Sequence, residues 1–356
     1  MYLSKILVNE RSQGKMKNRI AAIVQACLLT GLIVCMTVSV FAGKSSGPVT
    51  LTYAEVNPLE GTISGEMAKA FKEKAEEVSG GMLKIDIQAG AVLGSEEQIL
   101  DNLLGGGNIT DITRVSSFAF KQYGCDKSSL LAIPYTFEDE DHFWKFADSD
   151  LADEILMEPH DKGLLMRGLC YGEEGFRNFF FKDDVNGIED LKNKKIRISA
   201  DPVMTSMVDD LGAAAANVSF QELYSALSTG VVDGAEQPTA NYQSNAFYEV
   251  APNLMLDGHI LGAMQIVISD YSWNKLDEEQ QGWIMEAADY ASDVCREKVH
   301  EIEEESIAKL KEKGVKIVEV EDKSEWMETC KDTIDANTKN EYETYQKILA
   351  MKDKAE

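Results

Sequence analysis

Basic residues are scarce in this chain: 35 Lys and Arg face 61 Asp and Glu, a formal charge of −26 over 356 residues. Nucleic acid and anionic membrane surfaces are both read by basic patches, so neither is an expected partner. The excess acid reads as solvated surface that serves solubility, and any site for an anion must then rely on a local cluster of arginines. Metal and cofactor signatures are missing too. There is no CxxC and no HExxH, and no paired Cys–His arrangement occurs. The glycines at 105–107 follow a helical pattern and carry no GK[ST], so they are not a phosphate loop. No cofactor, no metal and no enzyme activity are expected, although acid pairs are too numerous to exclude acid–base chemistry by themselves.

Long apolar runs are also absent, with one exception. Lys15, Lys17 and Arg19 precede an apolar stretch from Ile20 to Val40, and Val40-Phe41-Ala42 follows. A basic flank, an apolar centre and a small residue at the cleavage point describe an export signal over residues 1–42, with Met16 as its start. The run is long enough to span a bilayer, so a retained anchor is the alternative. Either way the rest of the chain is placed on the outer side of the cell membrane, periplasmic or extracellular. Cys27 and Cys35 lie inside the run without a lipoprotein context. Removing 1–42 takes five basic residues and one acidic residue and leaves a charge of −30. Cys125, Cys170, Cys295 and Cys330 remain. A disulfide framework does not suit a chain of this size; isolated core thiols are expected, with one bridge left open.

What is present is a β-α-β alternation. Val49 to Val56 reads as a strand delivering Glu55 and Asn57 to a loop. Met67, Ala70, Phe71 and Val78 repeat at helical spacing until Gly80-Gly81. Leu83 to Ile87 alternates as a second strand. Ser95-Glu96-Glu97-Gln98 fits a capping box opening a helix to Leu104. Asp111 to Val115 is a third strand, carrying Arg114. Such alternation predicts an α/β fold of open, mainly parallel sheets flanked by helices. Ligands of such sheets bind beyond the carboxyl ends of the strands. The chain is long enough for two lobes, each with a core.

The segment from Lys195 to Asn241 carries most of the functional information. Ile196 and Ile198 point to one side of a strand, Arg197 and Ser199 to the other. Asp201-Pro202 then reads as N-cap and first residue of a helix. A guanidinium fork beside a helix N-terminus suits a carboxylate. Ser219 with Glu222 predicts a further capping box, which gives Glu222 a structural explanation. Val231 to Ala235 reads as the next strand, with Glu236-Gln237-Pro238 just past its end. Gln237 and Asn241 both donate and accept, as hydroxylated ligands require. Arg177 lies in Glu174-Gly175-Phe176-Arg177-Asn178. For Arg177 and Arg114 the rival explanation is a surface ion pair worth little. Asn57, Glu55 and Glu96 are further candidates from loops. From Leu276 to about Lys313 the pattern is helical through Gly282, with Trp283, Ala287, Tyr290 and Val294 on an apolar face. Val315 to Val320 returns as a strand, and a Lys- and Glu-rich helical tail follows with Trp326 and Tyr345 as packing anchors.

These residues resemble the solute-binding proteins of TRAP transporters, the dicarboxylate-binding type. The resemblance runs from about Leu51 to Tyr345. It is carried by Leu93-Gly94, Gly175-Phe176-Arg177, Lys195-Ile196-Arg197, Phe220 through Leu227, Gly230-Val231-Val232-Asp233-Gly234 and Asn245 through Val250. It implies a periplasmic-binding-protein-like fold with two lobes, taken here as 48–174 with 262–305 and 175–261 with 306–356. Crossing strands and a long bent helix would join them around a ligand cleft. The family's carboxylate-binding arginine matches Arg197, a second ligand arginine matches Arg177, and its asparagine after the first strand matches Asn57. Where many members carry Glu-Asn-Pro, this chain has Glu236-Gln237-Pro238. That variant, with Asn241-Tyr242 and Leu256-Asp257-Gly258-His259, looks like the subset that binds sugar acids. The resemblance therefore implies a hexuronate as ligand, with a C4-dicarboxylate or keto-sugar acid as alternatives, and ion-gradient-driven permease subunits as the membrane partner. A monomer is expected. His259 is left between ligand contact and packing in a hinge strand. An importer driven by ATP, a sugar-acid-processing enzyme and a ligand sensor are the rival readings.

Overall fold

The computed structural model describes residues 47–106, 109–199 and 201–352. The expected export signal, with Cys27 and Cys35, lies outside them. Among the described residues no helix is long and apolar enough to cross a membrane.

Nine strands form one mixed sheet: β1 (Val49–Ala54), β2 (Leu83–Gln88), β3 (Ile112–Ser116), β4 (Met166–Phe181), β5 (Lys195–Ile198), β6 (Ala214–Asn217), β7 (Gly234–Pro238), β8 (Asn253–Ser269) and β9 (Lys316–Glu319). Their order is β2-β1-β3-β8-β4-β7-β5-β6, with β9 beside β8. The outer strands pair in parallel, as β-α-β units must. The centre is antiparallel, where β8 pairs with β3 and β4, and β4 with β7. The sheet is thus mixed and mainly parallel, as expected: five of its eight strand pairings are parallel, and the two long strands β4 and β8 supply the antiparallel centre. The polar stretch Gly172-Glu173-Glu174-Gly175 inside β4, and Asp257-Gly258-His259 inside β8, interrupt what would otherwise read as long apolar strands.

β4 shows how the sheet is packed. Phe179, Phe180 and Phe181 are all fully buried. Side chains alternate across a strand, so Phe179 and Phe181 enter one core with Ile196, Ile198, Met207 and Trp326. Phe180 enters another with Leu227, Ala235, Tyr242 and Leu310. Each buried phenylalanine contributes about 1.5–3 kcal/mol. At the other end of the sheet Leu51, Tyr53, Ile85 and Ile112 meet Phe71 and the long helix Glu278–Glu312. A smaller cluster of Leu100, Val115, Phe120 and Cys125 lies beside it.

The long helix starts at a capping box between Asp277 and Gln280 and runs 35 residues through Gly282. Its buried face is Ile284, Ala287, Ala288, Ala291, Cys295 and Val299. Of the expected face, Ala287 is buried and Trp283 and Val294 pack against the same core, whereas Tyr290 is exposed. The small side chains let the helix lie against the Ile63–Val78 helix, and it also reaches the Thr239–Ser244 helix. Both expected anchors of the helical tail are buried. Trp326 joins the Phe179 core, but Tyr345 and Ile348 bury with Phe137 and Phe143 in the core under β1–β3. His142 holds the last turn there through a 2.9 Å contact between Nε2 and the Ile348 carbonyl. The described part of the tail thus contributes side chains to two cores.

Two local expectations also change. β7 extends to Pro238, because β4 pairs with it from Arg177 opposite Pro238 to Phe181 opposite Gly234. Glu236 and Gln237 are thus strand residues rather than loop residues past its end. Ser219 makes no cap bond to the backbone. Its hydroxyl meets the Glu222 carboxylate at 2.6 Å, and a short 3-10 turn leads into the Leu223–Thr229 helix. Asp201 caps as expected, accepting from the Met204 amide at 2.7 Å. Cys125, Cys170, Cys295 and Cys330 are buried free thiols.

Candidate functional site

The ladder between β4 and β8 slips between Glu173 and Phe176 and again between Arg177 and Phe179. Gly175 takes a φ of +78° at the first slip. A Cβ there would sit 1.9 Å from Glu303 Oε1 on the long helix. Only glycine meets both constraints. The slips turn Glu174 and Arg177 toward a cavity of about 200 Å³ bounded by both ends of the sheet.

Seven of the nine sequence candidates line that cavity: Asn57, Glu96, Arg114, Arg177, Arg197, Gln237 and Asn241. Glu55 and His259 do not. Glu55 lies behind the wall, gripping Arg114 at 2.8 Å through Oε1 and 3.3 Å through Oε2. His259 is fully buried beneath it, stacked on Phe179 with ring centroids 4.3 Å apart. Of the two roles left open for His259, the structure gives it the packing one.

The three arginines are in different electrical states. Arg114 is largely engaged, with four of its five N–H donors bonded. Besides Glu55 it donates to Glu96 at 2.9 Å and Ser116 at 3.0 Å, and Glu174 stands 3.8 Å away. Arg177 is held bidentately by Glu236, at 2.5 Å and 2.9 Å, which leaves Nη1 without a hydrogen bond to any described residue. Burial opposes ionisation of Glu236, but Arg177 and His259 outweigh it and hold the carboxyl down to about 2. His259 stands 3.7 Å from Glu236 and 2.6 Å from Asp257. Burial disfavours the imidazolium, and these two carboxylates raise its pKa nonetheless.

Among the described residues Arg197 has no carboxylate partner. It is 3% exposed, its Nε donates to the Val218 carbonyl at 2.8 Å, and its Nη1 is buried without a partner. Burial pushes its pKa down to about 10, with Arg177 adding to the fall and Glu236 opposing it. It stays charged at neutral pH. A buried cation without a counter-ion costs several kcal/mol. An anion delivered to the cavity would remove that cost.

Glu174 is the wall residue that sequence reasoning left out of the site. One oxygen, Oε1, accepts from Asn57 at 3.0 Å and from Asn241 at 3.2 Å. Asn57 spends its other amide hydrogen on Ser64 at 3.1 Å, so its carbonyl is left to accept. The Gln237 amide is buried on the wall and bonds no described protein group. Ser199, Asn217 and Gln221 add to the polar lining, and Phe118 supplies an apolar face 5.4 Å from the Arg177 guanidinium. The doublet Glu173-Glu174 inside an otherwise apolar strand was the one signal available for Glu174.

This arrangement suits a small polar anion and offers amide and carboxylate acceptors for its hydroxyls. Among the described residues no cluster of His, Cys, Asp and Glu could hold a metal ion.

Comparison with known proteins agrees. A family model described as bacterial extracellular solute-binding protein, family 7, matches residues 54–340. The chain is 28% identical over 257 residues to the sialic acid-binding periplasmic protein SiaP of Vibrio cholerae, covering 72% of this chain and 79% of that one. A TRAP periplasmic solute-binding protein of Pseudomonas putida F1, solved with D-glucuronate bound, superposes with a TM-score of 0.81 at 28% identity, covering 86% of this chain and 98% of that one. Another from a Bradyrhizobium, in complex with D-galacturonate, gives 0.80 at 27% identity over 85% of this chain and 100% of the other. The two-lobed fold is thereby shared, and the chain belongs to the bacterial extracellular solute-binding proteins of family 7, the binding components of TRAP transporters.

Proposed function

We propose that the chain captures a hexuronate, such as glucuronate or galacturonate, and carries it to the ion-gradient-driven permease subunits of a TRAP transporter. The observation that carries the reading is Arg197, a buried guanidinium with a carbonyl as its one protein partner. A ligand carboxylate completes it and meets the free Nη1 of Arg177. The hydroxyls fall to Asn57, Gln237, Asn241 and Glu96. The uronates bound by the two structural relatives are acids of that description.

Capture is by lobe closure. One lobe comprises 48–174 with 262–305 and the last helix Tyr342–Leu349; the other comprises 175–261 with 306–341. They hinge at Gly175, near Leu261, and along the long helix. Closure shifts by as much as the added contacts of the closed state allow. We assign the chain binding without turnover, placement outside the cytoplasmic membrane and a monomeric state. The test is calorimetric titration with glucuronate and galacturonate, and with glucose and galactose, which keep the hydroxyl patterns but lack the acid. The uronates should bind at least 1,000-fold more tightly, because the neutral sugars leave Arg197 unpaired. Equal binding of uronate and neutral sugar would refute the reading.

A further inference from the structure

We propose that the cavity wall built on Arg114 makes the site selective for a single carboxylate: it takes hydroxyl donors and turns away a second acid group. The inference rests on the sugar-acid reading and narrows it to polyhydroxy monocarboxylates, against aldarates and short dicarboxylates of similar size.

Charges and lone pairs on this wall set the preference. Arg114 is the cation of this wall, and three carboxylates surround it: Glu55, Glu96 and Glu174. Its Nε donates to Glu55, its Nη1 to Glu96 and Ser116, and its Nη2 to Glu55. A ligand carboxylate arriving here finds one Nη2 N–H left and no free pair of donors to grip it bidentately. It also meets a net negative group, with Glu97 at the rim adding to it. Like charges within a few ångströms in a partly desolvated site disfavour binding about 100-fold.

The same carboxylates suit a hydroxyl. Arg114 and Ser116 contact Oε2 of Glu96, and Asn57 and Asn241 contact Oε1 of Glu174. The second oxygen of each bonds no described protein group, so each wall residue presents an acceptor to the cavity. Opposite stands Arg197, paired with a carbonyl alone, and beside it the free Nη1 of Arg177. Cationic capacity is therefore concentrated at the Arg197 end. A ligand with one acid terminus and hydroxyls at the other matches both ends; a diacid matches one.

The experiment compares D-glucuronate with D-glucarate, which replaces the far aldehyde carbon by a second carboxylate, in the wild type and in Glu96→Gln and Glu174→Gln. The full exported chain is used at pH 7.5. Wild-type protein should bind glucarate at least 100-fold more weakly than glucuronate. Glu96→Gln should narrow that ratio by tenfold or more. Glu174→Gln keeps an acceptor for the two asparagines and should narrow the ratio in the same direction. Glucarate binding within threefold of glucuronate in the wild type would overturn the inference, as would a ratio unchanged in both variants. The wild-type comparison stands even where a variant fails to fold. Failure of the sugar-acid reading has a different signature: neither uronate gives heat. In that event, stabilisation by succinate overturns the inference as well, whereas stabilisation by a monocarboxylate such as lactate, without succinate, upholds it.

Discussion

Replacing Arg197 by methionine should separate binding from folding with opposite signs. Methionine keeps much of the length and apolar stem and removes the charge. In the wild type without ligand, burial lowers the Arg197 pKa to about 10. Set against its ordinary value, that depression corresponds to a penalty on the order of 3 kcal/mol for keeping the charged form folded. The sign follows from proton linkage. Below about pH 10 both folded and unfolded arginine are charged, so the penalty is present in full at neutral pH. Arg197→Met removes it and loses a single hydrogen bond to the Val218 carbonyl, worth about 1.5–3 kcal/mol for a charged donor. The two nearly cancel, so the ligand-free variant should melt at or above the wild-type temperature. Binding behaves otherwise. Truncating one partner of a buried charge pair costs about 2–5 kcal/mol, a loss of about 30- to 4,000-fold in affinity. Differential scanning fluorimetry with and without galacturonate reads both effects. The wild type should rise with ligand by mass action, and the variant should show little or no rise from an unchanged baseline. A variant that melts well below the wild type, or that keeps an affinity within a factor of three, would refute the reasoning.

Three further outcomes follow from the same geometry. Glu236→Gln strips Arg177 of its bidentate partner and should destabilise the ligand-free protein by about 3–5 kcal/mol, measured by urea unfolding. Gly175→Ala places a Cβ on Glu303 at a positive φ; a loss of about 1–3 kcal/mol and weaker ligand binding are expected, and a neutral effect on both would contradict the hinge assignment. Burial and then Glu140 raise the Glu303 pKa to about 8, against a Phe176 backbone bond that lowers it. A carboxyl with a raised folded-state pKa binds more protons folded than unfolded between about pH 4.5 and 8, so stability falls across that window as pH rises. Glu303 is only partly buried, so its share is modest, and Glu303→Gln should flatten the slope of melting temperature against pH.

Local signals carried much of this fold because they depend on nearest neighbours. The capping box at Ser95, the Asp201 cap and the strand holding Arg197 are decided within a few residues. The central strands were harder. Glu173-Glu174 and Asp257-Gly258-His259 look like loop segments, but they are strand residues whose charges are answered from far along the chain. Asn57 is 117 residues from Glu174, and Glu236 is 59 from Arg177. The same distance effect blurred the site. Sequence assigned ligand roles to arginines by type, but whether an arginine is free depends on which carboxylates the fold brings to it. Arg114 and Glu55 prove to be partners, whereas Arg197 has no carboxylate partner among the described residues. His259 is buried because Asp257 and Phe179 enclose it, which no spacing rule shows.

A crystal structure of the protein grown with galacturonate tests the central claim most directly. The ligand carboxylate should lie within hydrogen-bonding distance of the Arg197 guanidinium, with the sugar hydroxyls toward Glu96, Glu174 and the two asparagines. A carboxylate seated against Arg114 instead, or a sugar bound outside the cavity, would contradict the account.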